Sequence, residues 1–139
     1  MSLDVTLTRK YHVSYDGGTT LEEKKEDVYL ANITHNLGEM AKRAGLYEAL
    51  WRPYMLKEDY VPIEDYGKEL EYEDSVEIRA KDILPVIENG WEYMKLRPEY
   101  FKKFDSPNGW GLYDNFLPWI EKYVDACKEY PEAFVSVSR

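Results

Sequence analysis

Alternation with period two marks both ends of this chain, and period 3.6 marks the stretch between. Leu3, Val5 and Leu7 alternate with Asp4, Thr6 and Thr8, the pattern of a strand with one buried face. The strand can run on through Tyr11, Val13 and Tyr15 to Asp16-Gly17-Gly18, where glycines supply the positive φ of a tight turn. A return strand follows through Glu26 to Leu30, and Val135 and Val137 alternate with Ser136 and Ser138 at the other end. Pairing the terminal strands in one small antiparallel sheet ties down ends that otherwise fray. The charged run Glu22 to Asp27 then reads as a solvated hairpin edge, where charge discourages edge-to-edge pairing.

Three main helices are expected between the strands. Ile33, Leu37, Met40, Ala41 and Ala44 form one apolar stripe, and Gly45 stands where a helix-terminating glycine belongs. Tyr47 to Trp51 adds a turn before Pro53. Val76, Ala80, Ile83, Leu84, Ile87, Trp91 and Met94 make a second stripe, with Pro85 predicting a kink or a late start. Pro98 opens a further turn through Phe101 and Phe104. Tyr113, Phe116, Leu117, Ile120, Tyr123, Val124 and Cys127 make the clearest stripe. Cys127 on it reads as an inert core thiol. Residues 54 to 74 are acidic, rich in Tyr and aperiodic, so an irregular connection is expected there. Strands at both ends around helices give an α+β domain, with residues 1–139 as one unit.

Length and charge narrow the function. A chain of 139 residues can bury about 70% of its extended surface, enough to hold a core without disulfides or metal. Its one Cys forms no internal disulfide, which fits a reducing cytoplasm. A net charge of −9, from 27 acidic and 18 basic residues, argues against a duplex nucleic-acid partner. No apolar run approaches the roughly 20 residues of a membrane span. Gly109 and Gly111 are followed by Asp114 where a dinucleotide fingerprint needs glycine. Paired-His zinc helices, Cys-x-x-Cys and nucleophile elbows are absent from the sequence. No cofactor, metal set or catalytic residue is therefore expected.

Three segments carry candidate binding residues. Asn32, His35, Asn36, Glu39 and Arg43 recur at three and four, opposite the apolar stripe of the first expected helix. That face offers amides, a titratable ring, an acid and a guanidinium, and it reads equally as a solvated face with a local ion pair. Ala31, Thr34, Gly38, Ala41 and Gly45 form an overlapping small edge. Gly38 costs about 1 kcal/mol against Ala in a helix, which suggests close approach of a ring, a ligand or another helix. In the second segment, Asn108-Gly109-Trp110-Gly111 precedes a helix start, where unpaired N–H groups can meet an anion and Trp110 can stack. The third is Trp51-Arg52-Pro53, an indole beside a guanidinium. His12 on the first strand reads as an ordinary strand residue.

MSLDVTL at 1–7, ANITHNLGEMA at 31–41, YEALWRP at 47–53, NGWGLYDNFLPWIEKYVDACKEYP at 108–131 and VSVSR at 135–139 together resemble a family of small proteins of bacteriophages and bacterial mobile regions. The resemblance spans all but the acidic middle and transfers chemistry to no residue. It implies a phage-encoded accessory protein of the host cytoplasm, of a kind that counters host defence by sequestering cyclic nucleotide or ADP-ribose-type signals in homo-oligomers.

The resulting expectation is a non-enzymatic protein binding a small anionic nucleotide-like ligand through Asn32, His35, Asn36, Arg43, Trp51, Arg52, Asn108 and Trp110. An aromatic share of 15%, with 13 Tyr and 4 Trp, suits such a role. The first alternative is an acidic protein-interaction module or inhibitor of a host defence enzyme, using Glu58 to Asp74 with Tyr60, Tyr66 and Tyr72. The second is a small hydrolase built on His35 and Glu39.

Overall fold

The computed structural model describes residues 2–18 and 20–139. Strands β1 (Ser2–Ser14), β2 (Leu21–Thr34) and β3 (Phe134–Ser138) form an antiparallel sheet in the order β2-β1-β3. The two terminal strands pair as expected, with Val5 opposite Val137 and Leu7 opposite Val135. Gly17 and Gly18 take φ of 72° and 95° in the hairpin turn. Leu3, Val5 and Leu7 are fully buried, each worth about 1.5–3 kcal/mol of apolar burial.

Helices α1 (Gly38–Arg43), α2 (Tyr47–Trp51), α3 (Tyr66–Ser75), α4 (Ala80–Lys95), α5 (Pro98–Lys102) and α6 (Tyr113–Glu129) complete an α+β fold. Ile83, Ile87 and Met94 of α4 meet Phe116, Ile120 and Tyr123 of α6 in the core. Cys127 lies there too, and burial pushes its thiol up to about 12. Pro85 and Pro118 sit inside α4 and α6. Pro85 leaves the carbonyl of Lys81, in the first turn, without its helical donor, and α4 continues to Lys95.

The expected first helix is corrected. The return strand runs to Thr34, pairing Ala31, Asn32 and Ile33 with Val5, Asp4 and Leu3. Sheet pairing thus overrides a stripe that fits a helix equally well. Thr34 ends the strand: its extended backbone and its hydroxyl, which accepts from the Asn36 N–H, start a short 3-10 turn, His35–Leu37. Only then does α1 begin.

Two further expectations are corrected. The middle segment contains a 3-10 turn, Pro53–Leu56, and the regular helix α3, capped by Asp65 accepting from the Lys68 N–H at 3.1 Å. None of the α3 residues is buried, so no apolar period betrays it. Gly38 meets nothing: a Cβ there would have no atom within 4 Å. The close approach is at Gly90 of α4, where a Cβ would lie 2.3 Å from Leu46 Cδ2.

Candidate functional site

The end of β2, the turn after it, the loop before α6 and the first turns of α6 enclose a cleft of about 890 Å³. Four of the eight expected residues meet here. Asn32, His35, Asn36 and Trp110 line the cleft. Asn108 does not line it but braces the loop that does, its Oδ1 accepting from the Ser106 hydroxyl at 2.6 Å and from the Trp110 N–H at 2.9 Å.

The loop is built to present an indole. The Ser106 N–H donates to Gly111 O at 3.0 Å and the Gly109 N–H to Ser106 O at 3.1 Å, closing a small ring of chain. Gly109 and Gly111 take φ of 78° and 117°, a region that side chains resist. Asn36 Nδ2 donates to Trp110 O at 2.8 Å, fastening the loop to the turn after β2. Trp110 itself is left 70% exposed. An indole this open beside a cleft is available for stacking.

Asn32 is held from the opposite side. Its Nδ2 donates to Ser2 Oγ at 2.9 Å and to Asp4 Oδ1 at 2.7 Å, across the β1–β2 pair. Trp119 of α6 completes the wall, its indole N–H donating to Asn32 O at 3.1 Å. Ser2, Asn115 and Trp119 are lining residues that pattern reading missed. The one available signal was Trp119 itself, an indole off the apolar stripe of α6.

His35 has its ring 6.2 Å from that of Trp51, edge to face, and its Nε2 is buried with no hydrogen-bond partner. Trp51 is buried and stacked on Tyr47 at 5.3 Å. It supports the cleft through His35 and does not line it.

The two guanidiniums lie elsewhere. Arg43 pairs with Glu39 at 3.0 Å and lies over the Phe104 ring. Arg52 donates to Tyr54 Oη at 2.9 Å and to Glu69 at 3.3 Å. Burial alone would lower the Arg52 pKa, but its bonds to Tyr54 and Tyr47 outweigh that and raise it. Burial and the bond to Glu69 push the Tyr54 hydroxyl up to about 12. Arg52, Tyr54 and Glu69 thus tie α3 to the body of the fold. Neither Lys nor Arg lines the cleft among the described residues.

The start of α6 is also occupied from within. Asp105 Oδ1 accepts from the Tyr113 N–H at 2.7 Å, the place expected for a ligand anion. The carboxylate of Glu39 is engaged by Arg43, while His35 faces Trp51. Among the described residues, no group of three or more His, Cys, Asp or Glu side chains is placed to hold a metal ion. Among the described residues, no helix is long and apolar enough to cross a membrane.

Against protein-family models, curated proteins and solved structures, the chain finds no match.

Proposed function

We propose that this chain is a non-enzymatic binding protein whose cleft takes the base of a small nucleotide-derived molecule. The observation that carries the reading is Trp110, an exposed indole fixed in place by a glycine-flanked loop and by the Asn36 amide. Stacking on such a ring contributes about 1–3 kcal/mol per base. Amides and an imidazole beside it supply the few polar groups that orient a ligand in a concave site. Recognition then falls on the base, because the candidate phosphate ligands Arg43 and Arg52 are spent on Glu39, Tyr54 and Glu69. In a phage setting, binding without chemistry would withdraw a nucleotide signal from its receptor.

The test is a fluorescence titration with nucleosides and cyclic dinucleotides. The proposal expects Trp quenching in the parent chain and a loss of affinity of about five- to 150-fold in Trp110→Ala, from about 1–3 kcal/mol of stacking. A ligand recovered chemically altered would argue for an enzyme instead.

A second reading has its own support. α3 buries no residue, and it shows Tyr66 63% exposed on a helix whose Glu71 and Asp74 are exposed too. Such a face suits a basic protein partner. Association through it should weaken steeply with salt, and neutralising Glu58, Asp59, Glu71 and Asp74 together should slow the on-rate. A partner captured equally well by that variant would rule this reading out.

A further inference from the structure

The hydrogen-bonding character of the cleft follows from which of its polar atoms are already used. Asn32 has two amide N–H groups, and both are spent, on Ser2 Oγ and Asp4 Oδ1. Asp4 as a carboxylate only accepts, so the amide cannot be turned the other way. Asn36 is oriented likewise, because Trp110 O also only accepts. The Trp119 indole N–H is spent on Asn32 O, the Trp110 backbone N–H on Asn108 Oδ1, and the Gly109 N–H on Ser106 O. Both Asn32 donors, one Asn36 donor, the Trp119 indole N–H and two loop N–H groups are therefore engaged within the protein.

The acceptors remain. Asn32 Oδ1 and Asn36 Oδ1 belong to exposed side chains at the cleft, and each is the amide atom left over by the donations above. The third is His35. Its Nε2 is buried with no oxygen or nitrogen to bond, in a ring packed on Trp51. A lone pair there has nothing to accept, whereas an N–H can rest against an aromatic face. On that ground the proton is assigned to Nε2, which leaves Nδ1 as an acceptor.

We infer that the cleft selects a planar heterocycle whose edge carries adjacent N–H donors, the amidine-type edge of guanine being the natural case, and that it does so without a phosphate contact. This rests on the reading of the cleft as a base site. The ring N–H and exocyclic amine of such an edge offer donors to acceptors that otherwise face only water. At these three atoms a heterocycle edged by carbonyls would set acceptor against acceptor.

The probes are guanosine, inosine, which lacks the exocyclic amine, and caffeine, which is planar and has no N–H. Binding is read from Trp fluorescence in the parent chain and in His35→Phe, which keeps an aromatic ring against Trp51 and removes Nδ1. Guanosine should bind at least about fivefold more tightly than inosine, one hydrogen bond's worth, and caffeine more weakly than either. Guanosine monophosphate should match guanosine within about threefold, for want of a phosphate contact. His35→Phe should weaken guanosine about fivefold and leave caffeine unchanged, a difference that a merely structural role would not produce. Caffeine or inosine binding as tightly as guanosine would overturn the inference and leave the base-site reading standing. No binding by any probe at millimolar concentration would overturn both.

Discussion

Gly111 and Asn36 are packed so closely that a Cβ on residue 111 would stand 3.0 Å from the Asn36 Cβ. This contact, with the Asn36–Trp110 hydrogen bond beside it, joins the loop before α6 to the turn after β2. Gly111→Ala meets both a positive φ of 117° and that contact. It should cost about 1–3 kcal/mol in urea unfolding, and it should weaken ligand binding by displacing Trp110. Unchanged stability and binding would show that the loop does not depend on this approach.

Two glycines in helices should respond in opposite directions. Gly90→Ala drives a methyl to 2.3 Å from Leu46 Cδ2 and 3.2 Å from Ala44 O, an overpacking that costs about 1–3 kcal/mol. Gly38 has helical φ and ψ of −57° and −43° and open space around its Cα. Gly38→Ala should stabilise by about 0.4–1 kcal/mol. Thermal unfolding of the pair checks both signs; equal effects would contradict the packing described for α4.

Arg139 closes the molecule. Its guanidinium holds Glu73 of α3 with two bonds, at 2.6 and 2.9 Å, and donates to Trp51 O at 2.9 Å. Both partners are about four-fifths covered, with side-chain exposures of 17% and 22%. Arg139→Ala should cost about 1.5–3 kcal/mol. Deleting residues 133–139 should cost several kcal/mol more, as β3 is lost from the sheet. Urea midpoints that do not move would show that the C-terminal strand and its arginine are not structural.

Alkaline pH should destabilise the fold. Burial and Glu69 push the Tyr54 hydroxyl from 10.0 up to about 12, and burial pushes the Cys127 thiol from 9.0 up to about 12. Burial raises Tyr123 well above its ordinary value too. Above about pH 9 the unfolded chain releases protons that the folded chain keeps, so stability falls as pH rises. The thermal midpoint should be level near about pH 8 and drop steadily toward about pH 12. A flat profile through this range would contradict the burial of these groups.

The sheet and the longest helix were legible because one face of each is buried. Leu3, Val5 and Leu7 carry period two, and Tyr113 to Cys127 carry period 3.6. Gly45 ended a helix as its position implied, with φ of 73°. The boundary at Thr34 was not legible, since Ile33 and Leu37 fit a helical stripe until Leu3 and Asp4 claim Ile33 and Asn32 as strand partners. α3 was invisible because none of its residues is fully buried, and ion pairs from Arg52 and Arg139 help to hold it. At the cleft, residue types were readable but partnerships were not. Arg43 makes the local ion pair with Glu39 that their spacing allowed, Arg52 looked free in sequence and is engaged in space, and Trp119 joins the wall only through the packing of α6 on β2.

The most direct test of the base-site account is the indole N–H region of a proton–nitrogen correlation spectrum, followed during guanosine addition. The chain's 4 Trp residues divide by position: Trp110 and Trp119 line the cleft, Trp51 backs it through His35, and Trp91 lies outside its wall. The account predicts saturable shifts at Trp110 and Trp119, a smaller one at Trp51, and none at Trp91. Four unmoved indole signals at millimolar guanosine, or a shift at Trp91 alone, would contradict it.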